Sequence, residues 1–353
     1  MRILVTGGTG FVGSHCVAAL LAGGHEVVLL ARERSRVTGA LTPLGVDPEH
    51  VGVVDGDVLD SESVRRAFRD VDALLHAANV FSLNAADAEL MLKVNVDGTR
   101  QVLHAAVDGG LDPVVHVSST LALLPSDHLT SASPVGAPHG PYLASKAAAE
   151  RIARELQAQG APVVTTNPSS VYGPHQPHMG ESATLVRDIL RGRSRIVFRG
   201  GFGVVDVRDV AAAHARLFTA GLGPRRYLLG GHWIAFAELL RTLGQVVGHP
   251  LPAVRIPAWV ALPIGRLADA AQRRGIDPGF SSAAVWTVLN HPKSDDSDAR
   301  QQLVVQWRPT TDTLRDTVAW LHEQGQVSAR QAGAAAGTQW RAAGTPPAAA
   351  SGR

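Results

Sequence analysis

The beginning of the chain contains the feature that most constrains its fold, a glycine-rich turn between two apolar segments. Ile3-Leu4-Val5 predicts a buried strand, TGGTGFVG follows at residues 6–13, and a helical pattern begins at about Phe11. A second apolar segment at 26–31 predicts the next strand. A strand, a turn almost without side chains and a helix N-terminus form an anion site, because the N–H groups point outward and the helix dipole favours negative charge.

The glycines of this turn have different expected roles. Gly7 and Gly10 would let the chain turn tightly and approach a pyrophosphate, and Gly13 would let the helix lie close on the strand. The run fits both Gly7-x-x-Gly10-x-x-Gly13 and Gly8-x-Gly10-x-x-Gly13. Such spacing alone is weak evidence, but here a strand precedes it and a helix follows it. The sequence therefore predicts a dinucleotide-binding site.

The first half of the chain alternates between strand and helix patterns, which predicts parallel βαβ units. Strands are predicted at 2–6, 26–31, 51–55, 72–76, 113–118 and 162–167, and helices at 11–23, 61–69, 85–109 and 141–159. The predicted fold class is α/β, a doubly wound parallel Rossmann sheet with a smaller C-terminal substrate lobe. Ligands of such sheets bind beyond the carboxyl ends of the strands.

Domain boundaries follow from where this alternation changes. Residues 1–175 are predicted to form the dinucleotide-binding core, to which elements at about 196–230 return. Residues 176–195 and 231–324 are assigned to the substrate-binding lobe, where Pro and Gly separate short elements. Residues 325–353 contain GAAAG and TPPAAASGR without periodic apolar positions, so a disordered tail is expected.

Composition restricts the classes of partner and the compartment. The 33 basic and 31 acidic residues give a net charge of +2, which offers no argument for nucleic acid. The single cysteine, Cys16, permits no intrachain disulfide, and no signal-peptide pattern precedes the first strand, so a cytoplasmic location is expected. No apolar run is long enough for a transmembrane helix. No metal site is predicted, because a proline separates His175 from His178 and no third ligand is evident.

Tyr142 and Lys146 are the first candidates for chemistry. They lie four residues apart in PYLASKAAAERI, and Pro141 suits the first position of a helix, so both side chains should share one helix face. A neighbouring ammonium favours phenolate. Lys146 is therefore expected to lower the pKa of Tyr142 toward the range of a proton donor or acceptor.

A third candidate follows the apolar strand that ends at Val117. The next residues are Ser118-Ser119-Thr120, and a hydroxyl at the carboxyl end of a parallel strand faces the expected cofactor crevice. Ser119 could hydrogen-bond a substrate oxygen there. For Ser118 and Thr120, capping of a turn or helix is the expected role.

Together these motifs resemble the extended short-chain dehydrogenase/reductase family, in its NAD(P)-dependent epimerase/dehydratase group. The resemblance covers roughly residues 1–320 and implies an NAD(P)-dependent enzyme. Further matching segments are Gly56-Asp57-Val58, His76-Ala77-Ala78, Asn95-Val-Asp-Gly-Thr99, Pro168-Ser-Ser-Val-Tyr-Gly-Pro174 and Val207-Arg-Asp-Val210.

The resemblance implies catalytic roles. Tyr142 would be the general acid in carbonyl reduction and the general base in alcohol oxidation. Lys146 would bind the nicotinamide ribose and lower the Tyr142 pKa, and Ser119 would hold the reacting oxygen. Asn95 would be structural or part of a proton relay.

The resemblance also implies a cofactor pocket. Asp57 would accept a hydrogen bond from the adenine amino group, Val58 would line the adenine pocket, and Ala77 would pack near the nicotinamide ribose. With Arg32, which is chosen for its residue type below, the predicted cofactor-binding residues are Gly7, Thr9, Gly10, Phe11, Val12, Gly13, Arg32, Asp57, Val58, Ala77, Tyr142, Lys146 and Pro168.

The end of the second strand bears on the choice of cofactor. NAD-preferring proteins usually place an acid there, but this chain has Arg32, with Arg34 and Arg36 close behind. A guanidinium matches the 2′-phosphate of NADP. Glu33 is adjacent, and if its carboxylate pointed into the pocket instead, NAD would be preferred. The expected cofactor is NADP, with NAD as the alternative.

Two branches of the family compete for the substrate. Ser170 stands where sugar-nucleotide epimerases often have asparagine, so the chain is closer to the dihydroflavonol-reductase-like and 3β-hydroxysteroid-dehydrogenase-like branch. That branch commonly has arginine where this chain has Asn167. The predicted lobe contains apolar residues that could line a pocket or pack helices, namely Trp259, Leu262, Leu267, Trp286 and Leu289. Reduction of a small hydrophobic carbonyl compound is therefore expected.

Other interpretations stay open at this stage. Arg187, Arg191, Arg193 and Arg195 could bind a diphosphate, as a nucleotide-sugar epimerase or dehydratase with tightly bound NAD would require, or could be solvated charges. Some relatives bind the nucleotide without catalysis, as sensors. The resemblance also implies a possible homodimer, formed through the helices at 85–109 and 141–159.

Overall fold

The computed structural model describes residues 1–81, 87–138, 140–272, 274 and 281–338. Its strands are β1 Arg2–Thr6, β2 Glu26–Ala31, β3 Gly52–Asp55, β4 Ala73–His76, β5 Val114–Val117, β6 Val163–Pro168, β7 Ser170–Tyr172, β8 Ile196–Val197, β9 Gly201–Asp206, β10 Arg225–Leu229, β11 His232–Ala235 and β12 Val254–Arg255. Its helices are α1 Phe11–Ala22, α2 Ser35–Leu41, α3 Ser61–Ala67, α4 Ala88–Leu92, α5 Thr99–Asp108, α6 Pro141–Ala158, α7 Glu181–Leu190, α8 Val207–Ala215, α9 Phe236–Val247, α10 Ala258–Gln272, α11 Ser282–Asn290, α12 Ser297–Gln302, α13 Thr310–Glu323 and α14 Ala329–Ala332.

In the described part of the chain, seven strands form one parallel sheet in the order β10-β6-β5-β4-β1-β2-β3. The strands are short apolar runs, such as VVHV in β5 and EVVLLA in β2, because helices cover both faces of the sheet. Apolar side chains of α1 and α8 pack on one face, and those of α3, α5 and α6 pack on the other. This is the predicted doubly wound Rossmann sheet.

The remaining strands lie after β6 and outside this sheet. β7, β9 and β11 form a three-stranded sheet, and β8 pairs with β12. A separate apolar cluster joins these strands to α7, α9 and α13. None of the described helices is both long and apolar enough to cross a membrane.

The six predicted strands and the helices at 11–23, 61–69 and 141–159 are present, with ends that differ by one or two residues. The predicted helix 85–109 is interrupted: α4 and α5 are joined by a π-helical turn at Lys93–Gly98, and residues 85 and 86 lie outside the described residues. Helix α2 at Ser35–Leu41 was not among the predicted helices.

The prediction of a disordered tail from residue 325 is wrong for residues 325–338. Ser328 caps α14 through a capping box with Gln331, and a 3₁₀ helix follows at Gly333–Gly337. Val327, Ala332 and Ala335 are buried against the apolar cluster of α9 and α13. Small alanine side chains give no periodic hydrophobic signal, although they fit closely against a helix. Residues 339–353 lie outside the described residues.

Candidate active site

The glycine-rich turn joins β1 to α1 at the carboxyl edge of the sheet. Gly7 has a φ of +74°, and a side chain there would lie 2.6 Å from the backbone of Ala77 and Ala78. A Cβ on Gly13 would lie 2.1 Å from the carbonyl oxygen of Gly7. The glycines therefore bring α1 against the end of β1, as the sequence predicts.

The N-terminus of α1 fits an anion. Gly10 is its N-cap residue, no side chain caps the first turn, and no acidic residue lies within it. The Gly10 N–H donates to the Gly7 carbonyl, at 2.9 Å, which closes the turn below the helix end. Thr9, Phe11 and Val12 are half-buried around it. These residues could hold the pyrophosphate of a dinucleotide.

A buried polar row supports the strand ends beneath this turn. In the sheet, Thr6, His76, His116 and Thr165 are register partners on β1, β4, β5 and β6. His76 Nδ1 lies 2.7 Å from Thr6 Oγ1, and its Nε2 lies 2.9 Å from Thr99 Oγ1. Burial, and secondly the Lys146 ammonium, lower the pKa of His76 to about 3, so the ring is neutral. The two hydrogen bonds of His76 therefore tie the end of β4 to β1 and to α5 without adding charge.

Asn95 holds the segment that follows β4. Its Oδ1 accepts from the Val80 N–H at 2.7 Å, while its Nδ2 donates to the Val80 carbonyl at 2.9 Å and to Ser145 Oγ at 3.0 Å. Asn95 lies in the π-helical turn, which is a common device at functional sites. The Asn95 side chain thus ties the segment after β4 to α6. This agrees with a structural role, which is one of the two roles expected for Asn95.

Tyr142 and Lys146 lie in α6, which begins at Pro141. The Tyr142 ring meets Phe81 edge to face, with 4.5 Å between ring centroids. Burial raises the pKa of the Tyr142 phenol, the Glu181 carboxylate raises it further, and a hydrogen bond with the Asn79 side chain opposes them. The phenol is therefore protonated at neutral pH.

The expected lowering of the Tyr142 pKa by Lys146 is not found in this structure. The Lys146 ammonium donates to the Val117 carbonyl oxygen, at 3.2 Å, at the end of β5. Helical spacing places both residues on one face, but the long lysine side chain reaches the strand end instead of the phenol. Burial lowers the pKa of Lys146 to about 8, and the Glu150 carboxylate opposes this change.

Ser119 is the second residue after the end of β5 and is half-buried. Its Oγ accepts from the Leu121 N–H at 3.2 Å and so caps the 3₁₀ helix Thr120–Leu123. This role was expected of Ser118 or Thr120, and that expectation is wrong: Ser118 is buried, and Thr120 Oγ1 pairs with His291 Nε2 at 3.1 Å. Because Ser119 accepts in the cap, its hydroxyl hydrogen remains able to donate to a substrate oxygen.

The predicted adenine pocket lies after β3. Asp57 Oδ1 accepts from the Leu59 N–H at 2.9 Å, and Ser63 Oγ accepts from the Asp57 N–H at 3.1 Å. Val58 is buried beneath it, and its carbonyl accepts from Gln101 at 3.1 Å. The loop is therefore fixed, while Asp57 itself is only half-buried.

Two further predicted cofactor-binding residues lie at the carboxyl ends of β4 and β6, Ala77 just after β4 and Pro168 as the last residue of β6. The Ala77 N–H donates to the Thr6 carbonyl at 3.1 Å, which brings Ala77 beside the glycine-rich turn. Pro168 is buried at the end of β6, in register with Leu229 of β10.

The three arginines after β2 are used differently. Arg36 Nε pairs with Glu33 Oε2 at 2.8 Å, and Arg34 donates to the Val53 carbonyl at 3.1 Å. Arg32 is exposed, and among the described residues it has no hydrogen bond or ion pair. Glu33, whose carboxylate was the expected competitor of Arg32, is therefore paired with Arg36 three residues later.

The arginine run at 187–195 is mostly engaged locally. Arg187 pairs with Asp188 at 2.8 Å, Arg191 donates to the Gln326 carbonyl at 2.6 Å, and Arg195 donates to the Ile189 carbonyl at 2.8 Å. Arg193 is exposed. These contacts support the packing of α7 and of the segment after α13.

The apolar residues proposed for the substrate lobe do not form one pocket. Trp259 and Leu267 of α10 are 79% and 71% exposed, so neither packs in a core nor lines an enclosed cavity. Leu262, Trp286 and Leu289 are half-buried. An apolar composition cannot show which face of a helix is covered.

The motif Val207-Arg-Asp-Val210 forms buried ion pairs instead of a substrate contact. Asp206 Oδ1 and Oδ2 accept from Arg208 Nε and Nη2, at 2.8 and 2.7 Å, and Arg208 Nη1 pairs with Asp316 Oδ2 at 2.6 Å. Asp209 pairs with Arg308. The pairs attach α8 to α13 and to the segment that precedes it.

Comparisons with known proteins agree with this geometry. The family model for the NAD-dependent epimerase/dehydratase family matches residues 3–230. Sterol demethylase protein B of Methylococcus capsulatus is 31% identical over 93% of this chain and all of its own length. A 4-hydroxy-2-methyl-3-oxo-4-farnesyl-3,4-dihydroquinoline-1-oxide ketoreductase of Stigmatella aurantiaca is 27% identical over 95% of this chain and 97% of its own.

A solved structure adds the cofactor of a relative. The dTDP-glucose 4,6-dehydratase DesIV of Streptomyces venezuelae, solved with NAD bound, is 29% identical, with a TM-score of 0.70 over 92% of this chain and 97% of its own. A Rossmann sheet with a glycine-rich turn and a Ser-Tyr-Lys set defines an NAD(P)-dependent enzyme of the extended short-chain dehydrogenase/reductase type. The chain belongs to the NAD-dependent epimerase/dehydratase family.

Sequence reasoning missed several residues of the site. Phe81 follows Asn79 and Val80 in a loop without a motif, and its contact with Tyr142 depends on the fold. Glu150 and Arg154 continue the four-residue spacing of Tyr142 and Lys146 in PYLASKAAAERIAR, so they could have been found from the helix pattern alone.

Proposed function

We propose that the protein is an NADP-dependent reductase of a small hydrophobic carbonyl compound, with Tyr142 as the proton donor. The observation that carries the proposal is the position of Ser119, Tyr142 and Lys146 at the carboxyl ends of β4 and β5, beside the glycine-rich turn. When bound, the nicotinamide supplies the hydride. The relative named as a ketoreductase and the one named for sterol demethylation support a hydrophobic substrate.

The chain's own groups suit the protonation half of a reduction. The Tyr142 phenol is protonated at neutral pH and so has a proton to give, and the burial that raises its pKa makes it a weaker acid until a bound cofactor and substrate change its surroundings. The Ser119 hydroxyl can donate to the same substrate oxygen, and Phe81 gives the phenol an apolar neighbour. These groups would bind and protonate a carbonyl oxygen while an apolar substituent packs beside the ring.

Nucleotide-sugar epimerisation or dehydration is the second candidate, supported by the likeness to the dTDP-glucose dehydratase. Such a substrate brings a diphosphate that needs cations. Arg187, Arg191 and Arg195 already contact Asp188, Gln326 and Ile189. These contacts favour the reductase over the epimerase.

The substrate class can be tested with a panel. Hydrophobic ketones and aldehydes are compared with UDP- and dTDP-sugars, while NADPH absorbance and sugar epimerisation are followed separately. We expect NADPH oxidation with hydrophobic carbonyl compounds and none with the sugars. Epimerisation without net consumption of cofactor would overturn the reductase.

Arg32 should decide the preference for NADPH. We expect the kcat/KM of the wild type to be roughly 10–100-fold higher for NADPH than for NADH. A charged hydrogen bond to the extra phosphate contributes about 1.5–3 kcal/mol, and about 1.4 kcal/mol corresponds to a factor of ten. Arg32→Asp should remove or reverse this preference, because a carboxylate repels that phosphate. The measurement is the ratio of kcat/KM values, or of Kd values if no substrate is found.

Two further variants control this prediction. Arg226→Asp introduces the same charge change at an exposed position of β10 and should leave the ratio unchanged. Arg36→Gln releases Glu33 and should lower the NADPH preference partway. A wild type that prefers NADH would contradict the assignment.

A further inference from the structure

The helix that contains the catalytic pair has a longer polar stripe. Tyr142, Lys146, Glu150 and Arg154 follow one another at four-residue intervals on α6, so they lie along one helix face. Lys146 is 5% exposed and Glu150 is not exposed at all. Two opposite charges are thus buried one helical turn apart, beside the strands that end at the site.

Each oxygen of the Glu150 carboxylate has a partner. Oε1 accepts from Arg154 Nε at 2.8 Å, and Oε2 accepts from Asn167 Nδ2 at 3.3 Å. The same Asn167 amide donates to the Ser119 carbonyl oxygen at 3.1 Å, and Arg154 Nη1 donates to the Ser133 carbonyl at 2.8 Å. The Glu150 carboxylate is therefore held in place by two hydrogen bonds, and through Asn167 it is linked to the backbone of the catalytic serine.

The Lys146 ammonium is buried, so its charge depends on a nearby group of opposite charge. Its ammonium has the Val117 carbonyl as a hydrogen-bond partner, and the neutral rings of His76 and His116 approach it from β4 and β5. Burial favours the uncharged amine, and among the described residues Glu150 is the acid that opposes this. Without the Glu150 carboxylate, Lys146 would be left with the Val117 carbonyl and two neutral histidine rings, and burial would then favour the uncharged amine.

We propose that Glu150 is a positioning residue that keeps Lys146 charged, with Arg154 and Asn167 holding its carboxylate and linking it to the Ser119 backbone. Arg154 lies one helical turn after Glu150 on α6 and pairs with its carboxylate. The Asn167 amide joins the same carboxylate to the Ser119 carbonyl oxygen.

The pKa of Lys146 can be measured without a substrate. The chain contains three lysines, Lys93, Lys146 and Lys293, so a protein labelled with ¹³C,¹⁵N-lysine gives few resonances to assign and titrate by NMR. We expect Glu150→Gln to lower the pKa of Lys146 measurably, because the buried opposite charge one helical turn away is lost. Glu155→Gln, an exposed glutamate of the same helix, is the matched control and should leave the Lys146 titration unchanged.

Glu150→Gln leaves the largely buried Arg154 guanidinium without its carboxylate, and this could prevent folding. A second variant covers that case. Glu150→Gln/Arg154→Gln removes both charges, and the pKa of Lys146 should still fall, because the lost carboxylate is one turn away and the lost guanidinium two. A Lys146 pKa that is the same in these variants and the wild type would overturn the proposal.

The pH dependence of turnover is the second measurement, and its interpretation rests on the reductase function proposed above. With NADPH and the carbonyl compound that the panel identifies, the alkaline limb of the kcat/KM profile should move to lower pH in Glu150→Gln. Glu150→Asp should restore part of it, which a merely structural role would not predict. If no carbonyl compound is reduced, the reductase proposal fails, while the NMR titration still decides the role of Glu150.

Discussion

Tyr142→Phe should lower kcat roughly 10²–10⁴-fold, the usual contribution of a general acid. The phenyl ring keeps its edge-to-face contact with Phe81, while the hydroxyl and its hydrogen bond with Asn79 are lost. Cofactor affinity should change much less than turnover, because the glycine-rich turn and the groups after β2 and β3 are untouched. Steady-state kinetics and titration of NADPH fluorescence measure the two effects separately.

Tyr227→Phe is the matched control. Tyr227 is buried in β10, where its hydroxyl donates to Gln302 Oε1 at 3.0 Å. Loss of this bond should cost about 1 kcal/mol of unfolding free energy and leave kcat unchanged. If Tyr142→Phe kept wild-type turnover, Tyr142 would not be the proton donor, and the assignment of the reaction would fail.

Gly13→Ala should weaken NADPH binding at least roughly tenfold and lower the free energy of unfolding by about 1–3 kcal/mol, the range for overpacking. The added Cβ would lie 2.1 Å from the Gly7 carbonyl oxygen, and backbone cannot move aside as a flexible side chain can. The helix must therefore shift away from the turn that is expected to bind the pyrophosphate. The Kd for NADPH and the Tm report the two effects.

Gly39→Ala makes the same substitution in another helix. Gly39 lies in α2, where a Cβ would meet nothing within 4 Å, so alanine should raise the stability by about 0.5–1 kcal/mol through its higher helix propensity. If the unfolding free energy falls in Gly13→Ala and rises in Gly39→Ala, the loss at Gly13 is due to its close contact with the Gly7 carbonyl and not to replacing glycine as such. NADPH affinity that is unchanged in Gly13→Ala would contradict the requirement for close approach.

Much of the fold and of the site was predictable because the signals are local. The turn at Gly7–Gly13 needs residues without side chains, and the short apolar runs between helical patterns predict a covered parallel sheet. The spacing of Tyr142 and Lys146 places them on one helix face whatever surrounds them. The strand that ends before Ser119 places that hydroxyl at the carboxyl edge for the same reason.

The contacts of those residues were not predictable in the same way. Lys146 was expected to act on Tyr142, but it donates to Val117, which lies 29 positions earlier in the chain. Ser119 was assigned to substrate alone, but it also caps the following 3₁₀ helix. Each outcome depends on which of several partners lies nearest, and this depends on how strands and helices pack.

The glycine-rich turn between a strand and a helix, and the expected positions of Ser119, Tyr142 and Lys146, could be read from the sequence because steric and periodic requirements act over a few neighbouring residues. Only the folded chain shows that Trp259 is exposed and that residues 325–338 pack on α9 and α13. Packing of β6 beside α6 also brings the Asn167 amide to the Glu150 carboxylate. These arrangements join residues from separate elements, and their energies depend on burial and distance, which only the folded chain defines.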